Sequence, residues 1–294
     1  MESEERAQLN ELMRLQEDMW TLIDTVFTNV AAADAWDRKH GADWILADVP
    51  YHLAYVDRDL IARPLEFGEE MPPEEQIKIL DLGSWNEAEF AKRPQNQTPA
   101  ESVTEMKATW DDIRRIVAGF TDADLERMMW QPLVGMGWIP FSVSLSICRN
   151  HEYSEFLQAR IHLGDTEPVP SVELTDGYLA SMTGSILQFF VDQDAAADKE
   201  IVAAFNFTDA GVSPKSIRVI NGIFFAEPDI SADAELVLKL DSVTFEKRLR
   251  QIQSFKIKRQ NPSRRGKFRN TPSACSGDRN LPLRDGFCYI LEPT

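Results

Sequence analysis

Cysteine is scarce in this chain: Cys148, Cys275 and Cys288 are the only three in 294 residues. They are too few and too scattered for a disulfide framework or a four-cysteine zinc site. No stretch reaches the roughly 18 apolar residues that a membrane-spanning helix needs. The N-terminus, MESEERAQLNEL, lacks the basic and apolar regions of a signal or transit peptide, so a cytoplasmic location is expected. There is no internal repeat and no low-complexity tract. Histidine is limited to four positions.

Positive charge is short over most of the length. The net charge is −17, yet residues 247–284 carry twelve Lys or Arg against one acid, Asp278. The first 246 residues therefore hold −26. A body that acidic is not expected to bind the nucleic-acid backbone.

What is present is enough apolar material for an ordinary core, at 43% of residues, and enough length for two domains. Apolar residues recur at helical spacing over about residues 7–32, from Leu9 to Val30. A second helix is expected over residues 42–62, with Pro64 at its end. Residues 64–97 read as a long connection with a short helix near residues 74–80. Thr98, Pro99 and Glu101 form a capping-box start for a third helix, which ends at Gly119. A short acidic helix is expected near residues 122–129. The fourth long helix covers residues 141–163 and closes at Gly164. Four long helices with a long second connection predict an up-down four-helix bundle over residues 1–164.

GDTEPVPSVEL, at residues 164–174, reads as a linker. Beyond it the pattern changes. Residues 177–192 are helical in pattern. Residues 200–209, 215–225 and 234–240 are rich in Val, Ile and Phe and read as strands, with Asn221-Gly222 as a tight turn. Residues 242–253 return to helix, capped near Asp241. Residues 175–254 are thus expected to form a smaller α+β domain.

Two of the four histidines lie on core-facing helices. On helix four, at 100° per residue, His151 and Glu155 point within about 60° of one another, one turn apart. That spacing suits two ligands of one metal ion. His162 shares the face but stands roughly 16 Å along the axis, too far to share the ion. Cys148 is close enough to be a soft outer candidate. On helix two, His52 projects from the side of Ile45, Val49 and Val56, toward the core. His52, His151 and Glu155 together make a two-histidine, one-carboxylate set that suits Zn, Ni, Fe or Mn. The other reading stays open: a histidine on an apolar face is more often a hydrogen-bonded core residue, and a His–Glu pair four apart is often an ion pair. Glu152, Tyr153, Tyr51 and Asp48 are near enough in sequence to support the ligands. Core packing is the reading for the seven tryptophans.

WILADVPYHLAYVDRDL, at residues 44–60, resembles the second helix of the DinB-like and mycothiol-dependent maleylpyruvate isomerase superfamily. The metal-ligand histidine of that helix maps onto His52. The last bundle helix of the family offers two ligands four apart, which map onto His151 and Glu155. Here the order is His then Glu, where the isomerase pattern places Glu first. FNFTDAG and IRVINGIFFAEPDISADAELVLKLDSVTFEKRL, at residues 205–211 and 217–249, resemble the sterol carrier protein fold, which often follows the bundle in that family.

The resemblance implies a metal-dependent enzyme. Its divalent ion would activate water or a low-molecular-weight thiol, such as mycothiol or bacillithiol, for isomerisation or transfer on a small substrate. A second function class is a non-catalytic protein that carries a lipid or other apolar ligand in the C-terminal domain. After Gln253 the carrier-protein likeness stops. Residues 255–294 read as a basic, irregular tail. A composition switch that abrupt also fits a change of reading frame near Phe255.

Overall fold

The computed structural model describes residues 3–40, 44–121, 124, 127–133, 136–164, 168–183, 199–220 and 223–248. The chain divides into two compact units, Met1–Pro170 and Ser171–Thr294. The tail reading, the Asn221-Gly222 turn and most of the acidic helix expected near residue 122 lie outside the described residues.

The first unit is mostly helical. Helix α1 (Glu4–Ala32) packs along α6 (Phe141–His162), and α2 (Val49–Asp57) packs along α5 (Pro99–Val117). Helix α5 starts as its sequence dictates. The Thr98 hydroxyl accepts from Glu101 N–H at 3.2 Å, and the Glu101 carboxylate accepts from Thr98 N–H at 2.7 Å. Helix α6 ends before Gly164, whose φ of +93° a side chain would resist.

The second helix departs from expectation at both ends. Residues 44–45 are not helical. Trp44 and Ile45 form strand β2, which pairs with β1 (Lys39–His40), His40 opposite Trp44. A 3-10 turn at Leu46–Asp48 leads into α2. Pro50 is the reason: it has no N–H to donate to the carbonyl of residue 46, so a regular helix can begin only about there. Nor does Pro64 end the element. The helix widens to a π turn at Arg58–Ala62 and continues as α3 (Arg63–Phe67) with Pro64 in its first turn. The wider turn shifts the hydrogen-bond ladder past the donor that proline lacks; Arg63 N–H reaches Arg58 O. Every residue of α2 is buried, where the sequence had shown an amphipathic stripe.

Two further expectations are corrected. No helix occupies residues 74–80. It lies later, as α4 (Leu82–Phe90), where Asp81 caps Ser84 N–H at 2.7 Å. Residues 128 and 129, expected at the end of an acidic helix, belong to strand β3 (Met128–Gln131), which pairs with β4 (Gly137–Pro140).

A polar node sits inside this unit. Glu152 accepts from Gln16 Nε2 at 2.5 Å and Trp20 Nε1 at 2.8 Å, and Asp57 accepts from Trp110 Nε1 at 3.0 Å. The Trp20 and Trp110 rings stack at 5.4 Å. Burial pushes both carboxyls up, and the Asp57 charge raises Glu152 further. Each therefore holds its proton more tightly folded than unfolded. The stability tied to the pair is full below the ordinary carboxylate range, near about pH 4, and is lost as pH rises through the raised folded values. Asp57→Asn keeps an acceptor for Trp110 but cannot titrate. Urea midpoints measured from about pH 4 to about pH 8 should fall less steeply in this variant than in the parent. Parallel curves would dismiss the pair as a source of the slope.

The second unit holds α7 (Val172–Ser181) and a four-stranded sheet. Strands β5 (Glu200–Phe207), β6 (Lys215–Ile220), β7 (Ile223–Pro228) and β8 (Leu236–Leu240) lie in the order β7-β6-β5-β8. β5 and β8 run parallel; the other neighbours are antiparallel. Helix α7 begins inside the expected linker, capped by Ser171 at Leu174 N–H. The helix over residues 242–248 starts as expected, with Asp241 accepting from Thr244 N–H at 2.7 Å. Phe205, Phe207 and Phe245 cluster behind the sheet with ring centroids 5.6–6.1 Å apart.

Candidate metal centre

Helix α2 delivers His52 to the unit interior, and α6 delivers His151 and Glu155 from one face. Their ligand-capable atoms all lie within 4.8 Å of one another. His52 Nε2 stands 3.0 Å from His151 Nε2, and His151 Nε2 stands 3.8 Å from Glu155 Oε1. The three residues singled out in the sequence are thus brought together.

The tautomer of His52 follows from its neighbours. The Tyr55 hydroxyl donates its one proton to Asn86 Oδ1 at 2.8 Å. It must then accept from His52 Nδ1, which lies 2.6 Å away. With its proton on Nδ1, His52 turns the lone pair of Nε2 toward His151. Burial, reinforced by the Glu89 carboxylate, pushes the Tyr55 phenol well above its ordinary range, so the hydroxyl stays protonated.

Aromatic rings wall the site. Trp44 lies 4.7 Å from the His52 ring, and Phe90 packs on Trp44, Tyr51 and Tyr55. Exposure is uneven across the cluster. The Glu155 side chain is 5% exposed, whereas that of His151 is 32% exposed.

The other candidates lie elsewhere. Cys148 is not part of the cluster; burial pushes its thiol up, with Asp57 and Glu152 adding to the effect, so it stays a neutral core residue. Glu152 belongs to the tryptophan node. Tyr153 packs on Phe156 at 5.9 Å. Tyr51 donates to Glu89 O at 3.1 Å. Asp48 pairs with Arg93 at 2.8 Å and receives Ile45 N–H. His162 lies against His40, ring centroids 5.8 Å apart, and burial lowers its pKa.

Sequence reasoning missed His40. Its Nε2 lies 2.6 Å from Glu155 Oε2, with both side chains buried. A two-residue strand carries no periodicity from which a buried face could be read. It also missed Tyr55 and Asn86. The i,i+3 spacing of His52 and Tyr55 was the available signal for the first of these.

Known proteins resemble the helical unit. Residues 15–158 match the profile of the DinB superfamily. This part of the chain is DinB-like. Among solved structures, the crystal structure of the mycothiol-dependent maleylpyruvate isomerase is similar at a TM-score of 0.52 and 13% identity. The match covers 83% of this chain and 89% of that one. A histidine-to-alanine mutant of that enzyme matches with a TM-score of 0.51 and the same identity and coverage. At such identity the likeness is one of fold. No curated protein matches the chain by sequence. Among the described residues of the DinB-like unit and of the rest of the chain, no helix is long and apolar enough to cross a membrane.

Proposed function

We propose that His52, His151 and Glu155 hold a divalent metal ion. The observation that carries this reading is the approach of two imidazole nitrogens to 3.0 Å while the His52 proton is spent on Tyr55. A nitrogen lone pair directed at a second imidazole, with a carboxylate oxygen within 4.8 Å of both, is a donor set that suits a cation. Two separations lie near the value a metal needs: nitrogen ligands on a tetrahedral zinc ion stand about 3.3 Å apart. The 3.0 and 3.8 Å edges bracket that value. Two neutral imidazoles and one carboxylate suit Zn, Ni, Fe or Mn.

The reaction we infer is a thiol-dependent isomerisation or transfer on a small substrate, with mycothiol or bacillithiol as the thiol class. It is supported by the DinB match and by the fold shared with the maleylpyruvate isomerase. When bound, such an ion lowers the pKa of a coordinated water or thiol and so supplies a nucleophile near neutral pH. The protein's own residues do the rest. Tyr55 and Asn86 fix the His52 ring and its tautomer. Trp44 and Phe90 keep water from the buried side of the cluster. The exposed edge of His151 leaves a way in for a small substrate. The up-down four-helix bundle and a sterol-carrier-like second domain complete the reading. The helical pairings of the first unit and the mixed four-stranded sheet of the second support them.

Elemental mass spectrometry of the purified, gently handled protein tests the proposal. About one equivalent of a divalent transition metal per chain is expected. No metal, even after reconstitution with zinc, nickel, iron and manganese in turn, would overturn it.

A further inference from the structure

Glu155 divides its two oxygens. Oε1 faces His151 at 3.8 Å, and Oε2 lies 2.6 Å from His40 Nε2. A carboxylate only accepts, so His40 turns an Nε2–H toward it. The other ring nitrogen, Nδ1, is buried and has no hydrogen-bond partner among the described residues. The Glu155 contact is therefore the one hydrogen bond seen for this imidazole. A buried, half-satisfied polar ring costs stability, and an apolar ring of similar size would pack there without that cost. The imidazole is explained by what it does to Glu155.

The hairpin that carries His40 also touches the other side of the cluster. His40 is the register partner of Trp44, and Trp44 packs on the His52 ring at 4.7 Å. One two-residue ladder thus braces a ligand from α2 and a ligand from α6.

We propose that His40 is a positioning residue: its Nε2–H holds Glu155 Oε2 so that Oε1 alone is presented to an ion shared with His52 and His151. The proposal rests on the metal reading of that cluster. Without the hydrogen bond, Oε2 loses the donor that fixes which oxygen faces the ion. Outer hydrogen bonds of this kind commonly set metal affinity by about ten- to hundredfold.

Cobalt(II) and zinc titrations of the full chain test it, with His40→Phe and His40→Gln beside the parent. Phenylalanine keeps the shape and removes the donor. Glutamine returns an N–H at the reach of Nε2. His40→Phe is expected to weaken cobalt binding about ten- to hundredfold and to change the visible cobalt spectrum, which reports coordination rather than fold. His40→Gln is expected to recover the parent affinity to within about threefold and to restore the parent spectrum. Should His40→Phe fail to fold, His40→Asn, whose shorter amide stops short of Glu155, takes its place. Parent-like affinity and spectrum in the donor-less variant would overturn the positioning role and leave the metal reading intact. So would a glutamine variant as weak as the phenylalanine one. A parent protein that binds neither cobalt nor zinc would instead bring down the metal reading, and the role of His40 with it.

Discussion

His52→Ala is expected to strip the protein of its ion while leaving the fold in place. His52 is 4% exposed and sits between Trp44 and Tyr55, so alanine removes one of the three proposed ligands from a walled site. Two ligands from one helix face remain. Affinity for zinc should fall by more than about 100-fold, beyond the losses that outer-shell partners produce. The apoprotein should lose only about 1–3 kcal/mol of stability, because the imidazole leaves a small cavity and an unpaired Tyr55 acceptor. His162→Ala is the control. It changes a histidine at the end of α6 that lies beside His40 rather than in the cluster, and the ion should stay. Metal content and circular dichroism on the three proteins decide the matter. A full equivalent of metal in His52→Ala would place the ion elsewhere.

Trp20→Ala is expected to have the largest effect on stability. The side chain is 1% exposed, stacks on Trp110, lies 4.6 Å beneath the Arg114 guanidinium and donates to Glu152. Removing a buried tryptophan costs about 3–5 kcal/mol through lost burial and the cavity left behind. The stranded Glu152 oxygen adds about 1–3 kcal/mol. Against a typical total of about 5–15 kcal/mol, the variant should be marginal at room temperature. Trp20→Phe keeps most of the ring and loses the N–H, so it should cost less than half as much. Urea unfolding read by circular dichroism measures both. A loss below about 1 kcal/mol in Trp20→Ala would mean that the stack contributes little.

Local signals identified some elements closely. Thr98 and Glu101 are three apart, and their reciprocal bonds close within one turn, so the start of α5 needs no tertiary partner. The Asp81 cap of α4 is equally local, at the spacing of Asp81 to Ser84, but no apolar period follows it to mark a helix. The kink at Arg58–Ala62 was harder to read. Pro64 forces some adjustment, but whether the helix stops or widens depends on what packs around it.

By itself the sequence determined that α6 carries His151 and Glu155 on one face, because helical geometry fixes residues four apart. It also determined that His52 lies on a core-facing helix. Only the tertiary structure decided what stands opposite them. His40 reaches Glu155 across 115 residues, and Gln16 reaches Glu152 across 136. The α2 stripe became full burial because hairpin, α4, α5 and α6 close around it. Periodicity reports which side of one element avoids water. Which lone pair faces which proton depends on side chains that meet only after the chain has folded.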